Sequence, residues 1–458
     1  MQQTFFAGAA KVDITPTMGS NVGVDFQSHY ARFFHDPLFA KVLMLKDEKL
    51  TTAIIVVDIC IMSSEMMDLI KERIFTETGI ESKHILLAST HTHAAPAVVG
   101  LLTCAPDLAY MKILPGLIVK AVKLAISRLK PATIASGQDD VPEHVRCRRY
   151  FMKPGFVAKN PVTGKADMVK TNPIGVEHLI ESSVAPTDPG LSFLAVKGLD
   201  GQWIAVVGNY SLHYVGDWHV DSISADYFGE FSKQIKNLLN ADEEFVGMMS
   251  NGTSGDINIW DFLEPNRYPK EHLAKTKIIG NDLAVNVFNK IQKAEWDDNP
   301  SLQIEYNEIA VVVSKPTAVE LEAAKEIVQQ NDFDTIAIDE NGMRKIYARE
   351  QLLLNEYPDI STTKLQALRI GKLVIGALGG EFFAETGLWL KEKMKGQNYF
   401  TITFANSYDG YVAPAHEFER GGYETWRARS SYLKAGSEET IKNELFKLLK
   451  NVCLKNNG

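Results

Sequence analysis

The chain has 458 residues, 45% of them hydrophobic and 23% charged, enough apolar material to bury a large core in one elaborated domain or two. Its formal net charge is −9, and the basic residues are scattered rather than clustered, which argues against a nucleic-acid partner. Cys60, Cys104, Cys147 and Cys453 lie too far apart for a C-x-x-C thiolate site or a disulfide scaffold and read as free thiols.

The start, MQQTFFAGAAKVDITP, lacks the basic and apolar regions of a signal peptide, and no stretch approaches the ~20 apolar residues of a membrane-spanning helix. The expectation is a soluble chain with no integral membrane segment, cytoplasmic as written, or periplasmic or secreted where a leader has been removed. LFAKVLMLKD (38–47) and TTAIIVVDIC (51–60) read as strands across the turn DEKL. SSEMMDLIKERIFTETG then has helical spacing opened by Ser63 or Ser64, and HILLAST is a third strand. Residues 110–130 repeat apolar side chains every three or four positions, which predicts an amphipathic helix on that sheet. Residues 151–190, rich in Gly, Pro, Asn and Lys, predict a long surface loop or lid. Beyond them, LSFLAVKG, WIAVVGNYSLHYVG and EFVGMMSNG predict strands about a helix in DYFGEFSKQIKNLL. LQIEYNEIAVVVS, a charged helix over 317–331, two strands in KLQALRIGKLVIGALGGEFF and a helix over 385–395 follow. The sum is an α/β protein, a mixed β-sheet core flanked by helices, read as one domain over 1–458 with a metal site in loops at strand ends.

The strongest chemical signal is STHTHAAP (89–96), where an apolar strand runs out into His91 and His93 and Pro96 stops its continuation. Alternate residues of an extended segment face the same way, so both imidazoles can reach one pocket and make half of a zinc or iron site. The alternative is a surface pair or a hydrogen-bonded core pair. A second strand ends on His213, with Asp217 and His219 close behind, although a lone His beside Tyr214 also reads as a satisfied buried histidine. Glu381 follows a strand and a Gly-Gly turn, between Gly380 and two phenylalanines. NGTSGDIN (251–258) is a Gly-rich turn without the Lys and spacing of a phosphate loop, so a structural turn is the better reading. Tyr408, Tyr411 and Tyr423 crowd the segment FANSYDGYVAPAHEFERGGYE, where phenols ligate metal, donate to an oxyanion or simply pack.

In this order, KVDITP, VVDICIMSSEMMDLIKERI, STHTHAAP, NYSLHY, SADYFGEF, NGTSGDIN, GGEFF and ANSYDGYVAP resemble the catalytic domain of the neutral (non-lysosomal) ceramidases, along nearly the whole chain. The resemblance implies zinc as cofactor, with His91, His213, Glu381 and Tyr411 as ligands, and His93 beside the metal water and the scissile carbonyl. It implies a substrate-contacting arginine at Arg148, with Arg149 as the alternative, and an oxyanion-holding tyrosine at Tyr423. Three departures accompany it. The family's active-site serine aligns with Asn258, followed by Ile259, and an amide cannot be a nucleophile; the Ser-Gly after His-Thr-His is Ala94-Ala95; and the family's C-terminal β-sandwich has no counterpart in this sequence.

The activity so implied is a zinc-dependent hydrolase that cleaves an amide or ester bond by a metal-activated water. His93 is then the proton shuttle, and Tyr423, with Asn258 through its amide, stabilises the oxyanion. The expected partner is a small-molecule or lipid-like N-acyl substrate, within sphingolipid or other lipid metabolism. Two alternatives stand beside it: the same scaffold acting on a polar or sugar-derived substrate, and a metal-stabilised binding protein without catalysis. Residues 97–117 read either as an apolar groove for an acyl chain or as the core face of a helix.

Overall fold

The computed structural model describes residues 5–23, 26–329, 331, 333 and 336–454. Residues 1–4 of the start and residue 330 of the helix expected over 317–331 lie outside them. Eight strands form a mixed sheet in the spatial order Val246–Asn251, Trp203–Tyr210, Gly190–Gly198, Lys130–Asp140, Phe6–Asp13, Phe39–Lys46, Thr51–Val57 and Ile85–Ser89. Their β-branched and leucine-rich runs are apolar at successive positions because both faces are covered. Along Phe39–Lys46, Val42 and Met44 pack under the helices Ser64–Thr78 and Leu108–Ser127. Leu43 and Leu45, on the opposite pleat, meet a second sheet built of Leu302–Val312, Ile360–Ile370, Leu373–Ala377 and Asn398–Ile402.

Between the sheets, Leu368, Ile375, Phe400 and Ile402 interleave with Ile54, Val56, Val196 and Val207, and burying each such side chain is worth about 1.5–3 kcal/mol. The far face of the second sheet, including Leu365 and Val374, is closed by Ile441, Leu445 and Leu449 of the helix Ser437–Leu454. The helices Asp226–Leu238 and Ala274–Ile291 cover the other end of the large sheet, on Phe193, Val206 and Met249. The layers therefore run helix, sheet, sheet, helix. Among the described residues no helix is long and apolar enough to cross a membrane.

Within the two large sheets, three of the described strand pairs are parallel: Thr51–Val57 with Ile85–Ser89, Trp203–Tyr210 with Val246–Asn251, and Leu373–Ala377 with Asn398–Ile402. Parallel neighbours need a crossover, and the crevice beyond their carboxyl ends is where open α/β sheets bind ligands. His91, His213 and Glu381 each follow the carboxyl end of one strand of these pairs by a few residues.

Local signals explain much of the element placement. Ser63 caps the helix Ser64–Thr78 by accepting from Met66 N at 3.2 Å, and Gly79 ends it at φ 77. Residues 151–190 depart from the expected loop: Arg149–Met152, Val169–Thr171 and Ile180–Ser183 form a three-stranded sheet, and Ala158–Lys159 pairs with Ala166–Asp167. Ladders of two to four residues satisfy the main chain there, but they are too short to leave an alternating pattern. Within 97–117 it is the helix-core alternative that the fold bears out, since Leu114 is buried against the sheet.

Candidate metal centre and active site

His91 does not arrive by strand alternation. Its backbone turns left-handed at φ 74, an uncommon conformation for a residue with a Cβ and one that structures tend to retain at functional sites. The kink is held by His91 N donating to Ile59 O at 3.0 Å and by Phe404, whose ring stacks on the imidazole at 4.1 Å. It swings the ring towards His213, so that the two Nε2 atoms stand 3.0 Å apart. Glu381 Oε2 lies 3.7 Å from the first and 3.8 Å from the second.

The motifs that carry the sequence resemblance surround these groups and orient them. Cys60 O, from VVDIC, accepts from His91 Nδ1 at 3.0 Å, and Ser254 O, from NGTSGDIN, accepts from His213 Nδ1 at 3.1 Å. With each Nδ1 carrying the proton, both Nε2 atoms present bare lone pairs. SADYFGEF clamps the loop that carries His213: Asp226 Oδ2 accepts from Val215 N, and Tyr227 donates its hydroxyl to Leu212 O. ANSYDGY supports Glu381 through Gly410 O, which accepts from Glu381 N at 2.8 Å, and through the Tyr408 hydroxyl, which donates to Oε1 at 2.9 Å. The Gly-rich turn is structural, as expected. Gly255 is required because a Cβ there would stand 2.4 Å from the carbonyl oxygen of Glu381.

The electrostatics of this cluster call for a cation. Burial holds His91 down to about 3, and holds His213 well below the usual histidine range with help from His91 and Arg148, so both are neutral bases. Burial pushes Glu381 up to about 7 against the pull of Arg148 and of hydrogen bonds from Tyr411 and Tyr408. Its Oε2, aimed at the two imidazoles, is buried without a hydrogen-bond partner. Two lone pairs and an orphaned carboxylate oxygen within 4.8 Å of one another are mutually repulsive unless an electrophile stands between them. Ligand atoms about 2.0–2.1 Å from a tetrahedral zinc would be spaced a little over 3 Å apart. The donor set therefore fits a borderline divalent ion, and ring nitrogens whose partners are main-chain carbonyls are usual for metal-binding histidines.

His93 is half-buried, with its Nε2 3.2 Å from His91 Nε2 and its ring stacked on Tyr214 at 3.7 Å. Tyr411 is hydrogen-bonded to both Glu381 and Arg148, and Tyr423 meets it edge-on with ring centres 5.5 Å apart. Arg148 lies over the Tyr411 ring at 5.2 Å and donates to Gly255 O and to Glu424 Oε1, each at 2.7 Å. Arg149 is turned away into bonds with Glu424 and Glu417, so of the two arginines only Arg148 lines the cavity. Asn258 donates its amide to Asn172 Oδ1 at 2.7 Å and stands behind that residue, which itself lines the cavity. Asp217 and His219 are not brought to the site: Asp217 accepts from Lys275 N and Thr276 N at the start of the helix Ala274–Ile291, and His219 stacks on Phe33.

Three contributors escaped the sequence reading. Tyr214 backs His93, Glu424 neutralises Arg148, and Phe404 backs His91. Glu424 adjoins Tyr423, but only burial distinguishes it from a surface glutamate. Above this floor opens a cavity of about 1220 Å³, walled by the 151–190 excursion on one side and by the helices Ala318–Gln329 and Glu340–Asn355 on the other. His93, His213, Tyr411 and Tyr423 face it.

Two solved structures share this architecture. A ceramidase complexed with C2 matches 99% of this chain over 76% of its own, at 16% identity and a TM-score of 0.70. Neutral ceramidase from Pseudomonas aeruginosa matches 98% over 74%, at 15% identity and the same TM-score. This chain has the neutral ceramidase fold. No protein-family model and no curated protein matches the sequence. The ceramidase fold thus accounts for the order of the motifs, since those motifs are the segments that hold His91, His213 and Glu381 in position.

Proposed function

We propose that this chain is a zinc-dependent, ceramidase-like hydrolase of amide, or ester, bonds in N-acyl compounds, with residues 1–458 acting as one catalytic unit. The observation that carries the reading is the pair of bare Nε2 atoms 3.0 Å apart beside the orphaned Oε2 of Glu381, at the floor of a cavity large enough for a sizeable organic substrate. His91, His213, Glu381 and Tyr411 would hold the ion. When bound, it supplies Lewis acidity, which makes water nucleophilic near neutral pH and polarises a carbonyl.

The side chains divide the remaining work. His93, kept neutral by burial and by its neighbours His91 and Arg148, accepts the proton of the attacking water and returns it to the leaving nitrogen. Tyr423, whose phenol stays protonated because burial raises its pKa, donates to the developing oxyanion, a contact typically worth about 3 kcal/mol. Arg148 gives most of its charge to Glu424 and so acts mainly by fixing Tyr411 at the cavity floor. Asn258 contributes through Asn172. The amide of Asn258 cannot be acylated, which favours direct attack by water.

The test is a panel of N-acyl lipids and acylated sugars, assayed with and without added zinc. Metal-dependent release of an amine from an N-acyl compound supports the proposal. Turnover confined to acylated sugars moves the scaffold to a polar substrate, and no turnover by metal-loaded protein leaves a metal-stabilised binding protein.

A further inference from the structure

The charged residues that line the cavity do not all have partners. Its carboxylates are occupied: Glu320 pairs with Arg427 at 2.9 Å, Glu340 with Lys159 at 2.7 Å, and Asp339 accepts from Gly342 N at the start of a helix. The charge of Arg148 is met by Glu424. Lys170 and Arg344 differ, because neither has an ion pair or a side-chain hydrogen bond among the described residues. They come from opposite walls, Lys170 from the strand Val169–Thr171 and Arg344 from the helix Glu340–Asn355.

Lys170 is half-buried, and burial holds its ammonium below the usual lysine range. An ammonium withdrawn from water without a counter-charge is destabilising unless a ligand supplies the charge. The strand that bears it is tied to the catalytic floor. Thr171 donates to Glu424 Oε2 at 2.8 Å, and Asn172 accepts from Asn258. Two residues along a strand span roughly 7 Å, so the backbone of Lys170 lies close to Asn172 on the same cavity wall.

We propose that Lys170 and Arg344 form an anion subsite in this cavity, and that the preferred substrate is an N-acyl compound bearing a carboxylate, sulfonate or phosphate in addition to the amide that is cut. The inference rests on the hydrolase reading for its amide but not for its anion. Arg344 is exposed on its wall and Lys170 half-buried on the other, and an acidic group held at either side chain would gain a charge-assisted bond there.

The test compares N-lauroylglycine with its neutral counterpart N-lauroylethanolamine on the zinc-loaded protein, and adds the monoamide of dodecanedioic acid to show on which side of the amide the charge sits. We expect kcat/KM to favour an anionic compound by on the order of 10-fold at low salt. Lys170→Gln and Arg344→Gln should each shrink that ratio several-fold at unchanged zinc content and melting temperature, and Lys170→Arg should restore it. Equal rates on anionic and neutral amides, or a preference that survives both Gln variants, overturn the subsite while leaving the hydrolase standing. Should no amide be cut, the hydrolase reading fails by itself, and calorimetry with the same compounds still decides: anion-selective binding lost in the variants supports the subsite, and indiscriminate or absent binding overturns it.

Discussion

His91 and His213 point their Nε2 atoms at each other across 3.0 Å while each gives its Nδ1 proton to a main-chain carbonyl. Two lone pairs so arranged, with burial keeping both rings neutral, repel each other, and a cation between them relieves that repulsion. The purified protein should therefore carry about one zinc per chain. His91→Ala and His213→Ala should each abolish binding, measured by elemental analysis after gel filtration. Absence of any transition metal, with no uptake of added zinc, would sink the assignment.

His93 touches the same cluster from the cavity side, through a 3.2 Å approach to His91 Nε2 and a stack on Tyr214. His93→Ala should retain zinc and lose turnover by at least about 100-fold, in line with removal of a general acid–base group. Loss of zinc in this variant would make His93 a ligand instead.

Zinc binding should release protons in a way that reports on Glu381. With the carboxyl raised to about 7 by burial, it is mostly protonated at pH 6 and mostly ionised at pH 8, whereas the histidines are already neutral at both. Metal binding should therefore weaken as pH falls through 7 and expel close to one proton more at pH 6 than at pH 8. Calorimetry in buffers of different ionisation enthalpy measures the count, and an equal count at both pH values would contradict the role of Glu381.

Glu424 is fully buried between Arg148 and Arg149, and those two cations hold its carboxyl below the usual range. Glu424→Ala leaves the buried Arg148 guanidinium without its counter-ion and Arg149 with Glu417 alone, and should cost about 3–5 kcal/mol of stability, read from denaturant unfolding. A loss within 1 kcal/mol would show that the network is dispensable.

Asn258→Ala and Tyr423→Phe should differ in size. Because the Asn258 amide is given to Asn172, its loss should lower turnover by on the order of 10-fold. Tyr423→Phe removes a donor facing the cavity and should lower it by roughly 100- to 1000-fold. Zinc content should survive both changes. Mass spectrometry of quenched turnover with a reactive ester should find no acyl adduct, and one on any Ser, Thr or Cys would overturn direct attack by water.

The sequence by itself determined the strands and the residues that close them. Apolar runs such as TTAIIVVDIC and HILLAS are local patterns, and His91, His213 and Glu381 are legible because each interrupts such a run at its carboxyl end. The helix Glu340–Asn355 was legible too, in Asp339 as a cap and in the helical spacing of Ile346, Tyr347 and Leu354, but went unread beside its charged residues. Only the tertiary structure decided which ring nitrogens of His91 and His213 face each other, that Asp217 serves a helix rather than the cluster, and that Glu424 neutralises Arg148 from 276 positions away. The left-handed turn at His91 likewise depends on Ile59 and Phe404. Convergence of this kind follows from strand register and the packing of two sheets, which sum many long-range contacts, so no window along the chain contains it.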